Sequence, residues 1–131
     1  WKCIYIQFSY PTLRYPVLFV EASYDQYVIS SSMKIKCLVD GDSGYSLKNC
    51  SQAELNAIEY YRTIYINNVV PNLLKEGHSL WSISCSWHAE IINSTIYDSD
   101  KQRVPKNEGP TIRSVVESFV FEEKRTIAVD S

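Results

Sequence analysis

Residues 17–27, which read VLFVEASYDQY, decide the fold. The first four are continuously apolar, a pattern typical of a parallel strand that is covered on both faces. Because the carboxyl ends of such strands face the active sites of open α/β proteins, Asp25 is the first candidate for a functional residue. Its carboxylate is either a catalytic group on a loop held by the sheet, or a helix N-cap or turn residue. The sequence leaves both interpretations open.

A second short run suited to a buried strand lies at residues 79–85, which read SLWSISC. The pattern again predicts a strand, and His88 follows it on a loop or at a helix start. A histidine in this position is a general base, a metal ligand or a packed core residue. Cys85 and His88 have the spacing of half a zinc site, but the sequence offers no second pair of ligands. We therefore predict no metal and no cofactor.

Helices and a third strand are indicated elsewhere in the chain. Residues 51–54 (SQAE) form a capping box, so a helix should begin there and carry one apolar face. Pro71 should interrupt or kink it, and Gly77 should follow its end. His78 is then most simply a solvated turn histidine. The spacing predicts another helix over 110–121 and a strand over 126–129.

The remaining segments are connections or have a weaker pattern. They are an extended segment at 1–10, a proline-rich connection at 11–16, a turn at 40–44, a short helix at 89–96 and a polar loop at 97–109. The Asp/Gly alternation of the turn is not a calcium loop, because the ligand series and the closing Glu of an EF-hand are missing.

Composition and charge exclude several kinds of partner. The chain has 131 residues, 45% of them hydrophobic and 21% charged, which is ordinary globular composition. Its formal net charge of −2 provides no basic field for nucleic acid or an anionic membrane surface. The longest apolar run is residues 17–20, far short of the roughly 20 residues that span a bilayer. We predict no nucleic-acid partner and no membrane span.

The four cysteines and two glycosylation sequons favour the secretory pathway. The cysteines have no C-x-x-C pairing, and their even number fits two disulfides, of which Cys37–Cys50 would close the turn-rich segment. The alternative is four reduced, buried cysteines in an intracellular protein. Asn49 and Asn93 stand in N-x-[ST] sequons with allowed middle residues. We expect a secreted protein or one of the secretory lumen.

The order of strands and helices predicts an α/β protein with a parallel sheet. An acid after one strand and a histidine after a later one is also the chain order of the α/β-hydrolase triad, in which the nucleophile comes first. No G-x-S-x-G occurs among the four glycines. We therefore expect residues 1–131 to be the C-terminal fragment of a single α/β-hydrolase domain, with the serine and the oxyanion hole upstream of Trp1.

Three segments have a distinctive order and spacing, namely residues 11–17 (PTLRYPV), 22–25 (ASYD) and 85–90 (CSWHAE). Together they resemble the C-terminal third of the Notum and pectin acetylesterase family, which consists of secreted α/β-hydrolases with a Ser/Asp/His triad. The similarity covers roughly residues 1–92 and is weaker beyond them, although the final VDS again looks like the family.

The resemblance assigns roles to individual residues. Asp25 falls on the triad acid and His88 on the triad base. Cys85 falls on the family's cysteine before that histidine, and Cys3 on one near the acyl pocket, which Tyr5 would help to line. A Cys3–Cys85 disulfide is a hypothesis that would hold the histidine loop against the first strand.

Function follows as an expectation from the resemblance. The protein is expected to be a carboxylic ester hydrolase of the O-deacylase type, acting on an acylated polysaccharide or an acylated protein. The alternative is a catalytically inactive hydrolase fold that serves as a structural or binding subunit. One aromatic set suggests a sugar platform, although core and rim packing is the simpler interpretation: Tyr5, Tyr10, Tyr24, Tyr27 and Trp87.

Overall fold

The computed structural model describes residues 9–41, 44–75, 77–86, 88, 97–100, 102–106 and 108–130. Within these ranges the strands and α-helices are β1 (Leu18–Ala22), β2 (Val39–Gly41), β3 (Gly44–Ser46), α1 (Gln52–Ile64), α2 (Val70–Lys75), β4 (Ser79–Ile83), α3 (Ile112–Phe121) and β5 (Ile127–Val129). Val28–Ser32 and Tyr65–Val69 are π-helical, and Tyr10–Thr12 is a 3₁₀ turn. No helix of the described chain is long and apolar enough to cross a membrane.

A parallel sheet has the strand order β1-β4-β5. Leu18 is aligned with Ser79, and Ala22 is aligned with Ile83, so β1 and β4 end at the same level. All five residues of β4 are buried, as a central parallel strand should be when both of its faces are covered. The three strands predicted for this sheet are confirmed, with ends displaced by one or two residues.

Helices cover both faces of the sheet, and each face has its own apolar cluster. On one face, Trp81 and Ile83 of β4 pack with Ile112 of α3. On the other, Leu80 packs with Leu73 of α2 and with Val69. The predicted α/β architecture with flanking helices is therefore confirmed. That the sheet belongs to a hydrolase domain extending beyond this chain stays a prediction.

The capping box at the start of α1 forms as predicted. The Glu54 backbone N–H donates to Ser51 Oγ at 3.4 Å, and the Ser51 N–H donates to Glu54 Oε2 at 2.8 Å. Two backbone donors at the helix end are thereby satisfied by side chains. The hydrogen bonds from Ser51 also lower the pKa of Glu54, because they stabilise the carboxylate form.

Pro71 is accommodated by a π-helical turn between α1 and α2. α1 ends at Ile64, the turn covers Tyr65–Val69, and α2 begins at Val70. The Val70 N–H bonds to the Tyr65 carbonyl, five residues back. The wider turn displaces the carbonyl that the proline ring would otherwise meet, and Pro71 has no N–H to leave unpaired. The predicted interruption at Pro71 is confirmed.

The chain reverses at Gly77, and His78 is buried there, contrary to prediction. Gly77 has a φ of 75°, and the N–H groups of Gly77 and His78 bond to the carbonyls of Leu74 and Leu73 at 3.2 and 3.1 Å, which is a Schellman motif. His78 is only 3% exposed, and its Nδ1 accepts from the Val17 N–H at 3.2 Å. The solvated interpretation of His78 was wrong because this turn leads directly into the central strand, beside the start of β1.

Two connections are more ordered than predicted. The proline-rich connection contains the 3₁₀ turn Tyr10–Thr12, in which Thr12 Oγ1 donates to the Ser9 carbonyl at 2.7 Å and Pro11 supplies a φ that suits the turn. The polar loop at 97–109 contains Val104, which is fully buried against the sheet. Residues 1–8 and 89–96, predicted as an extended segment and a short helix, lie outside the described ranges.

A disulfide encloses a small hairpin of two short strands. β2 and β3 pair antiparallel, with Val39 opposite Ser46. Cys37 and Cys50 form the predicted disulfide, with their Cα atoms 4.8 Å apart. Both cysteines pack against an apolar cluster that includes Ile29 and Ile58. The disulfide thus fixes the hairpin to the start of α1 and to the segment that follows Asp25.

Replacing Cys37 and Cys50 together by alanine should lower the free energy of unfolding. The bridge joins cysteines separated by 13 residues, and a loop of this length is worth about 3 kcal/mol through restriction of the unfolded chain. The measurement is urea denaturation of the wild type and the double variant, each followed by circular dichroism. Coincident unfolding curves would contradict the prediction.

Candidate active site

Asp25 lies just beyond the end of β1 and is held there by backbone bonds. The Ser23 N–H donates to the Ile83 carbonyl at 2.8 Å, so contact with β4 continues past the strand. Asp25 Oδ1 accepts from the Val28 N–H at 2.9 Å, and the Asp25 carbonyl accepts from the Ile29 N–H. These are the bonds of a helix N-cap. The N-cap interpretation is confirmed for one carboxylate oxygen.

The second oxygen of the same carboxylate contacts His88. Asp25 Oδ2 lies 2.8 Å from His88 Nδ1, with the Asp25 side chain 11% exposed and the His88 side chain 51% exposed. A carboxylate in its ionised form only accepts hydrogen bonds, so with Asp25 in that form Nδ1 carries the proton and donates it. In the neutral ring, Nε2 is therefore left as an acceptor. The two sequence-based interpretations of Asp25 are thus compatible, because each uses a different oxygen.

The parallel sheet explains why these two residues meet. β1 and β4 are adjacent and end together at the Ala22 and Ile83 pair. Asp25 follows the first strand by three residues, and His88 follows the second by five. Loops that leave the carboxyl edge of neighbouring parallel strands converge on one crevice. Residues 63 apart in the sequence are thereby brought into hydrogen-bonding distance.

Tyr27 lies against the imidazole of His88. The ring centroids are 5.2 Å apart, and the ring planes differ by 26°, which is a stacked arrangement. Tyr27 is on the helical turn that Asp25 caps. One short segment therefore supplies both the carboxylate and an aromatic face to the histidine.

The loop between β4 and His88 is attached to the hairpin through Ser86. Ser86 Oγ donates to the Tyr45 carbonyl at 2.7 Å and accepts from the Tyr45 N–H at 3.1 Å. The preceding Ser84 Oγ donates to the Asp130 carbonyl at 3.2 Å. A cavity of about 480 Å³ lies between hairpin and loop and is lined by Tyr24, Tyr45, Leu47, Ser84, Cys85 and Ser86. The hairpin therefore forms one wall of the crevice beside the histidine loop.

Two tyrosines near Asp25 have raised pKa values. Burial, together with the hydrogen bond that Tyr24 donates to Glu59, raises the pKa of Tyr24 to about 12. Burial, followed by the negative charges of Asp25 and Glu21, raises the pKa of Tyr61 well above the ordinary range. Both phenols are neutral at physiological pH.

The remaining predicted site residues lie apart from this pair or outside the described ranges. Asn49 is exposed in the turn before α1, and Cys85 is half-buried on the histidine loop. Cys3, Tyr5 and Asn93 fall outside the described ranges, so the Cys3–Cys85 hypothesis and the pocket role of Tyr5 stay predictions. Within the ranges described, no three His, Cys, Asp or Glu side chains are grouped so as to hold a metal ion.

A parallel α/β sheet with polar side chains at its carboxyl edge is the arrangement in which α/β proteins place their functional sites. The chain belongs to the pectinacetylesterase family, whose model matches residues 1–131, the whole chain. This is a family of carboxylic ester hydrolases. No curated protein and no solved structure matches the chain.

Proposed function

We propose that this chain supplies the acid and the base of a serine-type carboxylic ester hydrolase, with Asp25 as the acid and His88 as the base. The observation that carries the proposal is the 2.8 Å contact of Asp25 Oδ2 with His88 Nδ1 at the carboxyl edge of the parallel sheet. Family membership over the whole chain supports ester hydrolysis as the reaction.

The chemistry follows from the protonation states of the pair. Asp25 accepts the hydrogen bond from Nδ1–H, so Nε2 carries the lone pair that takes the proton of a serine hydroxyl as that oxygen attacks the ester carbonyl. Asp25 then stabilises the imidazolium, which returns the proton to the leaving alcohol oxygen. Water attacks the acyl-enzyme next and gives its proton to Nε2. The carboxylic acid is released, and the serine recovers its hydrogen.

The nucleophile and the oxyanion hole are proposed to come from outside this chain. The sequence contains no G-x-S-x-G, the segment that presents the serine on a strand-to-helix turn in α/β-hydrolases. In that arrangement, backbone N–H groups near the serine stabilise the oxyanion. The remainder of the hydrolase domain is thus the first partner of the Asp25–His88 pair.

An acetylated polysaccharide is the substrate class that we propose, with a secreted enzyme as its context. The family description names acetyl groups on pectin. The Cys37–Cys50 disulfide and the exposed Asn49 sequon are compatible with passage through the secretory pathway. A fatty-acylated protein, the substrate type of the Notum branch that the sequence also resembles, is the alternative that the assay must distinguish.

The test uses the whole gene product that contains this chain. We expect it to release acetate from acetylated pectin, to hydrolyse a chromogenic acetyl ester faster than a long-chain one, and to be labelled at one serine by an alkyl fluorophosphonate. If the serine is labelled but the long-chain ester is hydrolysed faster, the substrate carries a fatty acyl group and not an acetyl group. Binding of pectin with neither hydrolysis nor labelling would show an inactive binding subunit.

A further inference from the structure

Tyr27 makes a ring contact with His88 that core packing does not explain. Its side chain is 57% exposed, so it contributes little to the core, yet its ring is stacked on the imidazole at a centroid distance of 5.2 Å. His88 is itself half-exposed. A stack between two half-exposed rings is maintained only if the backbones of both residues are held in place.

The segment that carries Tyr27 is held from two directions. Asp25 caps it through the Val28 N–H, and Ile29, which is fully buried, anchors its inner face in the cluster beneath the disulfide. The Asp25 carboxylate and the Tyr27 ring therefore belong to one rigid unit. They contact the same imidazole at different places, one at its edge and one on its face.

These two contacts restrict different motions of the imidazole. The hydrogen bond to Asp25 restrains the imidazole at one edge, through Nδ1. Rotation of the ring about its Cβ–Cγ bond would turn Nε2 away from a nucleophile, and the Tyr27 ring lies against one of the faces that must move in that rotation. A stacked aromatic face fixes the plane of the ring, and it also attracts the positive charge that the ring acquires when Nε2 is protonated.

We propose that Tyr27 is a positioning residue of the Asp25–His88 pair, which holds the imidazole plane so that Nε2 stays aimed at the nucleophile. The inference rests on the proposed function, because it assigns Nε2 the role of proton acceptor. It requires the ring of Tyr27 and not its hydroxyl. Phenylalanine should therefore replace it, and a branched aliphatic residue should not.

The kinetic test compares Tyr27→Leu and Tyr27→Phe in the whole gene product, with a chromogenic acetyl ester as substrate. We expect Tyr27→Leu to lower kcat about tenfold with little change in KM, because a slightly misaligned base slows the chemical step without weakening substrate binding. Tyr27→Phe should stay within about twofold of the wild type. Tyr60→Leu is the matched control, since Tyr60 is a tyrosine on α1 that is 69% exposed, and it should have no effect.

A spectroscopic readout separates failure of this inference from failure of the proposed function. The measurement is the rate at which the His88 Nδ1–H proton exchanges with water, with its signal assigned by its absence in His88→Ala. This rate should rise in Tyr27→Leu and should equal the wild-type rate in Tyr27→Phe. Unchanged exchange in Tyr27→Leu would overturn the positioning role, whether or not the protein is an esterase. Equal loss of kcat in the Leu and Phe variants would also overturn it. If Tyr27→Leu shows faster exchange but the wild-type protein has no esterase activity, the positioning role of Tyr27 is supported and the proposed esterase function is rejected.

Discussion

Replacing Asp25 by asparagine should lower kcat for ester hydrolysis by about 10⁴-fold while leaving the fold almost as stable as the wild type. Asparagine retains an oxygen that can accept from the Val28 N–H, and it is as good an N-cap as aspartate. Its amide NH₂ then faces His88 Nδ1, which must become the acceptor. The ring proton moves to Nε2, so the base has no lone pair for the serine. Steady-state kinetics and thermal unfolding of the same preparation measure the two effects.

Asp130 provides the matched control for this substitution. It also follows a strand of the parallel sheet, and its Oδ1 accepts from the Lys106 N–H at 2.9 Å. Asp130→Asn should leave kcat within about twofold, because its contact is structural. Asp25→Ala should differ from Asp25→Asn in stability, with a further loss of about 1 kcal/mol from the missing cap. An Asp25→Asn variant with wild-type kcat would remove Asp25 from the mechanism.

The sequence could predict the strands because they depend on local pattern. A continuous apolar run indicated β1, and a short run suited to a buried strand indicated β4. The family resemblance, and not the pattern, placed Asp25 and His88 on one acid–base pair, and the adjacency of β1 and β4 that brings them together is seen only in the structure. The capping box at Ser51 was equally local, since its donors and acceptors lie within one helical turn.

The sequence could not predict contacts that depend on packing between distant segments. The sequence predicts a solvated His78, because a turn position gives no information about the strand beneath it, where the Val17 N–H needs an acceptor. Ser86 gave no signal, because its partner is the backbone of Tyr45 on the hairpin. Tyr27 gave no signal of its contact with His88, because residues two apart on a helix do not share a face and His88 lies on a loop that is distant in the sequence.

The structure gives the carboxylate of Asp25 two partners and thereby couples folding to function. One oxygen begins the helical turn that carries Tyr27, and the other holds His88. A change in the capping bond would shift the acid and the stacked ring together. Tests of the site must therefore separate a lost cap from a lost acid, which is the purpose of the Asn and Ala pair at this position.

Replacing His88 by alanine should lower kcat by about 10⁴- to 10⁶-fold, the range found when a triad base is removed. The side chain is half-exposed, so the fold should lose little stability. The space left beside Asp25 Oδ2 and the Tyr27 ring opens to solvent, and free imidazole can enter it. We expect added imidazole to restore part of the lost rate, in proportion to its unprotonated fraction. Initial rates at increasing imidazole concentration and several pH values measure this.

His78→Ala is the control that separates lost chemistry from lost structure. The chain has two histidines, and His78 is buried with Nδ1 bonded to the Val17 N–H. Its removal leaves that donor without its partner at the start of β1, which should cost about 1–3 kcal/mol of folding free energy. Imidazole should not restore a closed, buried site, whereas the open site at His88 should respond. Wild-type activity in His88→Ala would mean that His88 is not the base. Rescue of His78→Ala by imidazole would have the same meaning, because only the histidine that accepts the serine proton can be replaced by imidazole from solution.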